Sequence, residues 1–380
     1  MSGSSRPKEI AALAGARALP PLVLVLFHFC EQTGYFGVRV LDDLIGKGYL
    51  WVEFFFALSG FILIHVYGAR ANALWRPREY LRFMGTRLAR LYPLHLTTLL
   101  LLLVIAVVAR ALAAAFDFVS IFDLPYHPVL TVPSFIADLF LVQAWNIFSE
   151  LSWNAPAWFV SVEFLLCLLF PLYAALSRGN LLRGIFLVVA GVAGLRVVLA
   201  FSSRGLDLTF HNSIFRGMAA FSVGVGFAVI FRSIRKSSLR ISNGLLTRVQ
   251  LMALVALAAG IYLGGPARTG NDLFVALPIM AFVFLLAFDR GAIARVMQTK
   301  PLLRLSEWSY AIYLVQYPLL QVLRTIRQFY PPQWLTDATV HRAEAVCLLL
   351  VCVGVGALLT IWIENPANAR LRRLIARPAA

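Results

Sequence analysis

The chain has 380 residues, of which 60% are hydrophobic and only 14% charged, with a formal net charge of +16 and a mean hydropathy of +0.80. That much apolar surface cannot be hidden inside a water-soluble fold, so the composition excludes an ordinary soluble enzyme and points to a polytopic membrane protein. The basic residues are gathered in particular connections and do not form a continuous footprint, so no nucleic-acid partner is expected.

Backbone inside a bilayer must satisfy its own hydrogen bonds, so the apolar runs are expected to be helices and the fold all-α. About ten spans are predicted in chain order: Ala18–Phe29, Tyr49–Val66, Leu88–Val108, Ala157–Leu176, Ile185–Phe201, Ile214–Phe231, Val249–Leu263, Leu273–Phe288, Tyr310–Val322 and Glu344–Ile363. Phe135 to Phe148 is apolar but short, and reads as a re-entrant or interfacial segment before the fourth span. The N-terminal segment Met1 to Arg17 is polar and lacks a small-residue cleavage site, so the first helix is expected to be retained. No long repeat and no second, soluble domain is visible, which leaves one membrane domain over residues 1–380.

Charge sets the orientation. Arg70, Arg76, Arg78, Arg82, Arg87 and Arg90 crowd one connection; Arg232, Arg235, Lys236, Arg240 and Arg248 another; Arg290, Arg295, Lys300 and Arg304 a third. Arg370, Arg372, Arg373 and Arg377 close the chain, whereas Ala111 to Pro156 carries Asp117, Asp123, Asp138 and Glu150 and no Lys or Arg. Ten helices with both termini in the cytoplasm put every crowded loop inside. Cys30, Cys167, Cys347 and Cys352 lie in or beside apolar runs without metal-ligand spacing, so they read as packing residues and no metal is expected.

Polar groups inside these spans are candidates for function, since a bilayer makes them costly. Arg17 and His28 have ten residues between them. A step of eleven residues returns to within about 20° of the same helix face and rises roughly 16 Å, placing His28 deep and Arg17 at a membrane edge. Arg17 alone could be a snorkelling side chain, and His28 either a hydrogen-bonded structural group or a general base. Glu53 near the outer end of its span reads as an interfacial carboxylate, with the Ser59-Gly60 pair further in, where small residues favour close helix packing. Arg87 and Arg90 stand at i and i+3 on one face and could clamp phosphates, although positive-inside topology alone also explains them. Asn154 to Glu163, which includes Trp158, enters from the outer side and brings Glu163 to nearly the depth of His28, where a carboxylate could orient the imidazole.

Together these groups resemble the membrane-bound acyltransferase 3 family, bacterial enzymes that acylate cell-envelope glycans and some small molecules. The resemblance rests on Arg17 and His28 at their spacing, Phe55 to Phe61 read with Glu53, Arg87-x-x-Arg90 before Tyr92-Pro93, Pro156-Ala-Trp158, Ser161-Val162-Glu163 and Phe170-Pro171. It continues through Ser309 to Leu314, Tyr317-Pro318 and Glu364-Asn365-Pro366. Departures from the pattern are Gln316, where many members carry histidine, Leu165 and Cys167 after the carboxylate, and Pro20-Pro21.

The resemblance implies an acyl-CoA donor, acetyl-CoA in the commonest case, on the cytoplasmic side of the bacterial inner membrane. The acceptor would be a glycan, lipid-linked glycan or small molecule reached from the other face. In that scheme Arg87 and Arg90 hold the coenzyme phosphates, Arg17 places the donor, His28 deprotonates the acceptor hydroxyl and Glu163 orients the imidazole or the acceptor. Glu53, Ser59 and Trp158 support the site, with Ser59 or His28 as a possible covalent acyl carrier. The alternative is a transporter or flippase using Arg17, His28 and Glu163 for anion binding and proton coupling; the inverted hydropathy symmetry such folds show is not visible here.

Overall fold

A computed structural model describes residues 9–124, 130–150 and 153–376. The first eight residues of the polar N-terminal segment and Arg377 of the closing basic cluster lie outside the described residues. A one-and-a-half-turn helix, Ala11–Ala16, leads through Arg17 into α1, Leu19–Thr33, whose opening turn holds Pro20 and Pro21 where their missing N–H groups are not needed. There follow α2 (Val52–Tyr67), α3 (Pro77–Phe116), α4 (Val132–Leu139), α5 (Trp158–Leu168), α6 (Phe170–Leu176), α7 (Leu181–Ala200), α8 (Ser213–Lys236), α9 (Asn243–Leu263), α10 (Leu273–Leu286), α11 (Ser309–Arg327), α12 (Ala338–Leu359) and α13 (Asn365–Ala376). No strand occurs among the described residues.

Among the described residues seven helical segments are long and apolar enough to cross a bilayer, and α5 with α6, bent by 58°, makes an eighth if that pair is one span. The two remaining expected spans coincide with α10 and α11 but do not meet that standard by themselves. Helix α10 is short, and α11 carries Gln316, Gln321, Arg324 and Arg327. These polar residues lower the hydropathy of α11, which is enclosed by its neighbours and need not present an apolar surface all round. Helix α3 has 40 residues, about 60 Å at a rise of about 1.5 Å per residue, so it projects well beyond a hydrocarbon layer about 30 Å thick.

Contacts between connections fix which helix ends lie together. At the arginine-rich end Arg232 Nη2 donates to the Ser177 carbonyl at 2.6 Å, Arg290 Nη2 to that of Ile241 at 3.2 Å, and the Ala12 amide to Asp289 Oδ1 at 2.8 Å. At the opposite end Arg268 binds Glu31 and, at 2.7 Å, Asp207 Oδ2, while Tyr49 donates to Asp272 Oδ1 at 2.7 Å. This pairing agrees with alternating helices and leaves α4 as a partial entry. Its eight residues reach only about 12 Å. It is held by His95, whose Nε2 donates to the Asp138 carbonyl at 2.8 Å.

The centre is made by α8 crossing α2 and α7 at glycines. A Cβ added at Gly224 would stand 1.9 Å from the Ala57 carbonyl oxygen, and one at Gly60 2.3 Å from that of Phe221, so α2 and α8 meet backbone to backbone. Gly60 therefore fulfils the packing expectation for the Ser59-Gly60 pair. Ser59, one position before it, faces elsewhere.

Candidate active site

Four helices and the turn before α1 each turn one polar stripe toward a common cavity of about 130 Å³ near the arginine-rich end. The stripes follow helical periodicity: Phe55, Ser59 and Ile62 from α2; Arg87, Arg90 and Leu91 from α3; Phe159 and Glu163 from α5; Tyr310 and Tyr313 from α11. Arg17 enters from the turn that joins the first helix to α1. The rotation of α5 is set from behind. Ser161 Oγ donates to the Leu141 carbonyl at 2.8 Å and accepts the Ala144 amide at 3.2 Å, and Trp145 Nε1 donates to the Ser161 carbonyl at 3.2 Å. Glu163, two residues later and on the other side of the helix, is thereby aimed into the cavity.

Inside, the Ser59 hydroxyl donates to Glu163 Oε1, and Arg87 Nη2 lies 3.5 Å from the same oxygen. Glu163 Oε2 and Arg87 Nε have no hydrogen-bond partner among the described residues. Among the described residues the hydrogen bond of Arg17 is a long one, from Nε to the Ala14 carbonyl at 3.4 Å. Among the described residues neither Arg17 nor Arg90 makes an ion pair; Glu364 is near both but not in contact. The cavity thus holds three guanidinium groups and one lining carboxylate. A cation in a water-poor helix bundle is stable when an anion accompanies it, so this excess is suited to an anionic ligand.

His28 does not line the cavity. Its Nδ1 is 3.2 Å from Gln316 Oε1, and Gln316 Nε2 donates to the Tyr313 carbonyl at 2.9 Å. That second bond decides the chemistry of the first. A carbonyl oxygen can only accept, so the amide NH₂ of Gln316 must face Tyr313 and its oxygen must face the imidazole. The imidazole then carries its proton on Nδ1, leaving the lone pair of Nε2 to take a proton from elsewhere. Gln316 is one turn of α11 beyond Tyr313, so His28 stands one turn further from the arginine-rich end than the cavity wall.

A family model described as an acyltransferase domain matches residues 10–372. The chain belongs to the acyltransferase 3 family. It is similar to the acyltransferase MdmB of Streptomyces mycarofaciens, with 27% identity over 405 residues covering 99% of this chain and 95% of that protein. It is also similar to protein 2 of the picA locus of Rhizobium radiobacter, with 32% identity over 166 residues covering 40% of this chain and 82% of that protein. No solved structure matches it. The chain is thus a multi-pass membrane acyltransferase, and the transporter alternative gives way to that assignment.

Within the acyltransferase the expected residues divide into two groups. Arg17, Ser59, Arg87, Arg90 and Glu163 converge on the cavity. The expected contact of Glu163 with His28 is not made: Glu163 binds Ser59 and Arg87, and Gln316 takes its place beside the imidazole. Equal depth on two helices does not give equal rotation, and the α5 stripe turns toward α2 and α3. Arg87 is engaged by Glu163, so the two lining guanidinium groups without an ion pair among the described residues are Arg17 and Arg90.

Glu53 is no interfacial carboxylate. It is fully buried and bound at both oxygens by Arg216 of α8, Nε to Oε1 at 2.5 Å and Nη2 to Oε2 at 2.7 Å. Arg216 also donates to the carbonyls of Tyr49 at 2.8 Å and Leu208 at 3.1 Å, and its guanidinium lies 5.3 Å from the Trp158 ring centroid. Glu53 and Trp158 therefore brace the bundle around Arg216 and lie off the cavity lining. Sequence reasoning missed Arg216, although a lone arginine in the run from Ile214 to Phe231, facing a carboxylate on another span, was a signal. Cys347, expected to pack, is exposed.

Proposed function

We propose that this acyltransferase moves an acyl group, acetyl in the simplest case, from acyl-CoA to a hydroxyl of a glycan, lipid-linked glycan or small-molecule acceptor. The observation that carries the reading is the pair of guanidinium groups that make no ion pair among the described residues, Arg17 and Arg90, in a cavity whose far wall adjoins His28. Coenzyme A is a polyanion with a narrow arm. Its phosphates supply the ion-pair partners that Arg17 and Arg90 lack, and planar guanidinium groups bind phosphate oxygens bidentately. The thioester then points along the cavity toward Phe55, Phe159 and Tyr313. The acceptor hydroxyl gives its proton to His28 Nε2 as its oxygen bonds to the acyl carbon, and the carbon–sulfur bond breaks to release coenzyme A. Gln316 holds the imidazole in the tautomer that can accept that proton.

The concentration of basic loops at the arginine-rich end supports reading that end as the cytoplasmic side of the bacterial inner membrane, with both termini inside and the acceptor on the opposite face. The test is acyl transfer by purified protein, read as coenzyme A release from acetyl-CoA, beside mass analysis of envelope glycans from cells with and without the protein. His28→Ala should lower turnover about 10²- to 10⁴-fold with donor affinity kept, the usual range for removing a general base. Turnover near wild type in that variant would remove His28 as the base.

A further inference from the structure

Ser59 has a geometry that neither packing nor donor binding accounts for. Its neighbour Gly60 makes the close α2–α8 contact, so that contact does not call for a hydroxyl at position 59. Yet Ser59 lines the cavity and donates to Glu163 Oε1, and that carboxylate is in turn braced by Arg87. A hydroxyl bound to a base that a third group orients is the arrangement of an activated nucleophile. His28 is on the other side of the cavity wall.

We propose that Ser59 is acylated during turnover, so that donor and acceptor use the cavity in succession. This rests on the acyl-CoA reading above and adds a covalent intermediate to it. In the first half, Ser59 Oγ bonds to the thioester carbonyl carbon while its proton passes to Glu163. The carbon–sulfur bond breaks, and coenzyme A leaves as the thiolate past the arginines, taking a proton from water. In the second half the acceptor hydroxyl attacks the serine ester. The acceptor proton goes to His28, which later releases it to water, and the departing serine oxygen recovers the proton held by Glu163. The sum is one thioester and one alcohol converted to one ester and one thiol. No other reagent is consumed.

The experiment uses full-length protein in detergent with radiolabelled acetyl-CoA and no acceptor, comparing wild type, His28→Ala, Ser59→Ala and Ser59→Cys. His28→Ala should accumulate the label, because loading needs Ser59 and Glu163 while discharge needs His28. Proteolysis should then place the acetyl mass increment on the peptide containing Ser59. The bond should survive neutral hydroxylamine and yield to alkaline hydroxylamine, as an oxygen ester does. Ser59→Ala should carry no label while still binding coenzyme A. Ser59→Cys should carry label that neutral hydroxylamine removes, since the acyl group is then a thioester; a hydroxyl that merely positioned Glu163 would give no such change. No label on His28→Ala, together with wild-type turnover in Ser59→Ala, overturns the covalent step and leaves direct transfer standing. If wild-type protein neither binds nor consumes acetyl-CoA, the functional reading fails instead.

Discussion

Replacing Arg216 with methionine removes the cation from a fully buried ion pair and leaves Glu53 among apolar neighbours. The loss comprises two charge-assisted hydrogen bonds to the carboxylate and two to the Tyr49 and Leu208 carbonyls. Breaking a buried pair from one side costs about 3–5 kcal/mol, most of it from the stranded charge. Glu53→Leu, which strands the guanidinium, should cost a similar amount. The double variant removes both charges, and exchange of a buried pair for apolar side chains is often near neutral, so it should be less destabilised than either single variant. The two single costs would then exceed the double by several kcal/mol, an interaction term read directly from a double-mutant cycle. Unfolding in mixed micelles, followed by helical circular dichroism, supplies the three differences. Single-variant costs below about 1 kcal/mol, or a double variant equal to their sum, would refute a closed, bidentate pair as the brace between α2 and α8.

Other outcomes follow from the same geometry. Gly224→Ala sets a methyl carbon 1.9 Å from the Ala57 carbonyl oxygen, so α8 must shift; a loss of about 1–3 kcal/mol, the usual cost of overpacking, should appear in the same unfolding assay. Gln316→Leu removes the acceptor for His28 Nδ1–H, and turnover should fall at least about tenfold with coenzyme A affinity unchanged. Gln316→Glu keeps an acceptor oxygen beside the imidazole and should retain more activity than Gln316→Leu; equal losses would show that the imidazole orientation does not depend on position 316.

Much of the architecture was legible because the bilayer makes sequence patterns strict. Apolar runs became helices, and the distribution of arginines matched the end at which Arg232, Arg290 and the first helix turn make their contacts. The short run around α4 was correctly separated from the spans by its length. Rotation about the helix axes was not legible. Glu163 and His28 agree in depth, yet α5 is turned by Ser161 and Trp145 so that its carboxylate meets Ser59 and Arg87. The true partner of His28 lies 288 positions away on α11, a pairing that no local periodicity encodes. Glu53 was misplaced for a related reason: counting from a helix end gives depth, whereas burial came from Arg216 reaching across from α8. Arg87 and Arg90 share a face as their spacing requires, but the carboxylate that distinguishes them comes from another helix.

The most direct test of the central reading is binding of coenzyme A, compared with phosphate-free pantetheine, to purified wild type, Arg17→Ala and Arg90→Ala by calorimetry. Hydrogen bonds to charged groups contribute about 1.5–3 kcal/mol each, so either substitution should weaken coenzyme A by about ten- to 150-fold. Binding of pantetheine should change little. Coenzyme A affinity within about twofold of wild type in both variants would contradict the assignment of the arginine cavity to the donor.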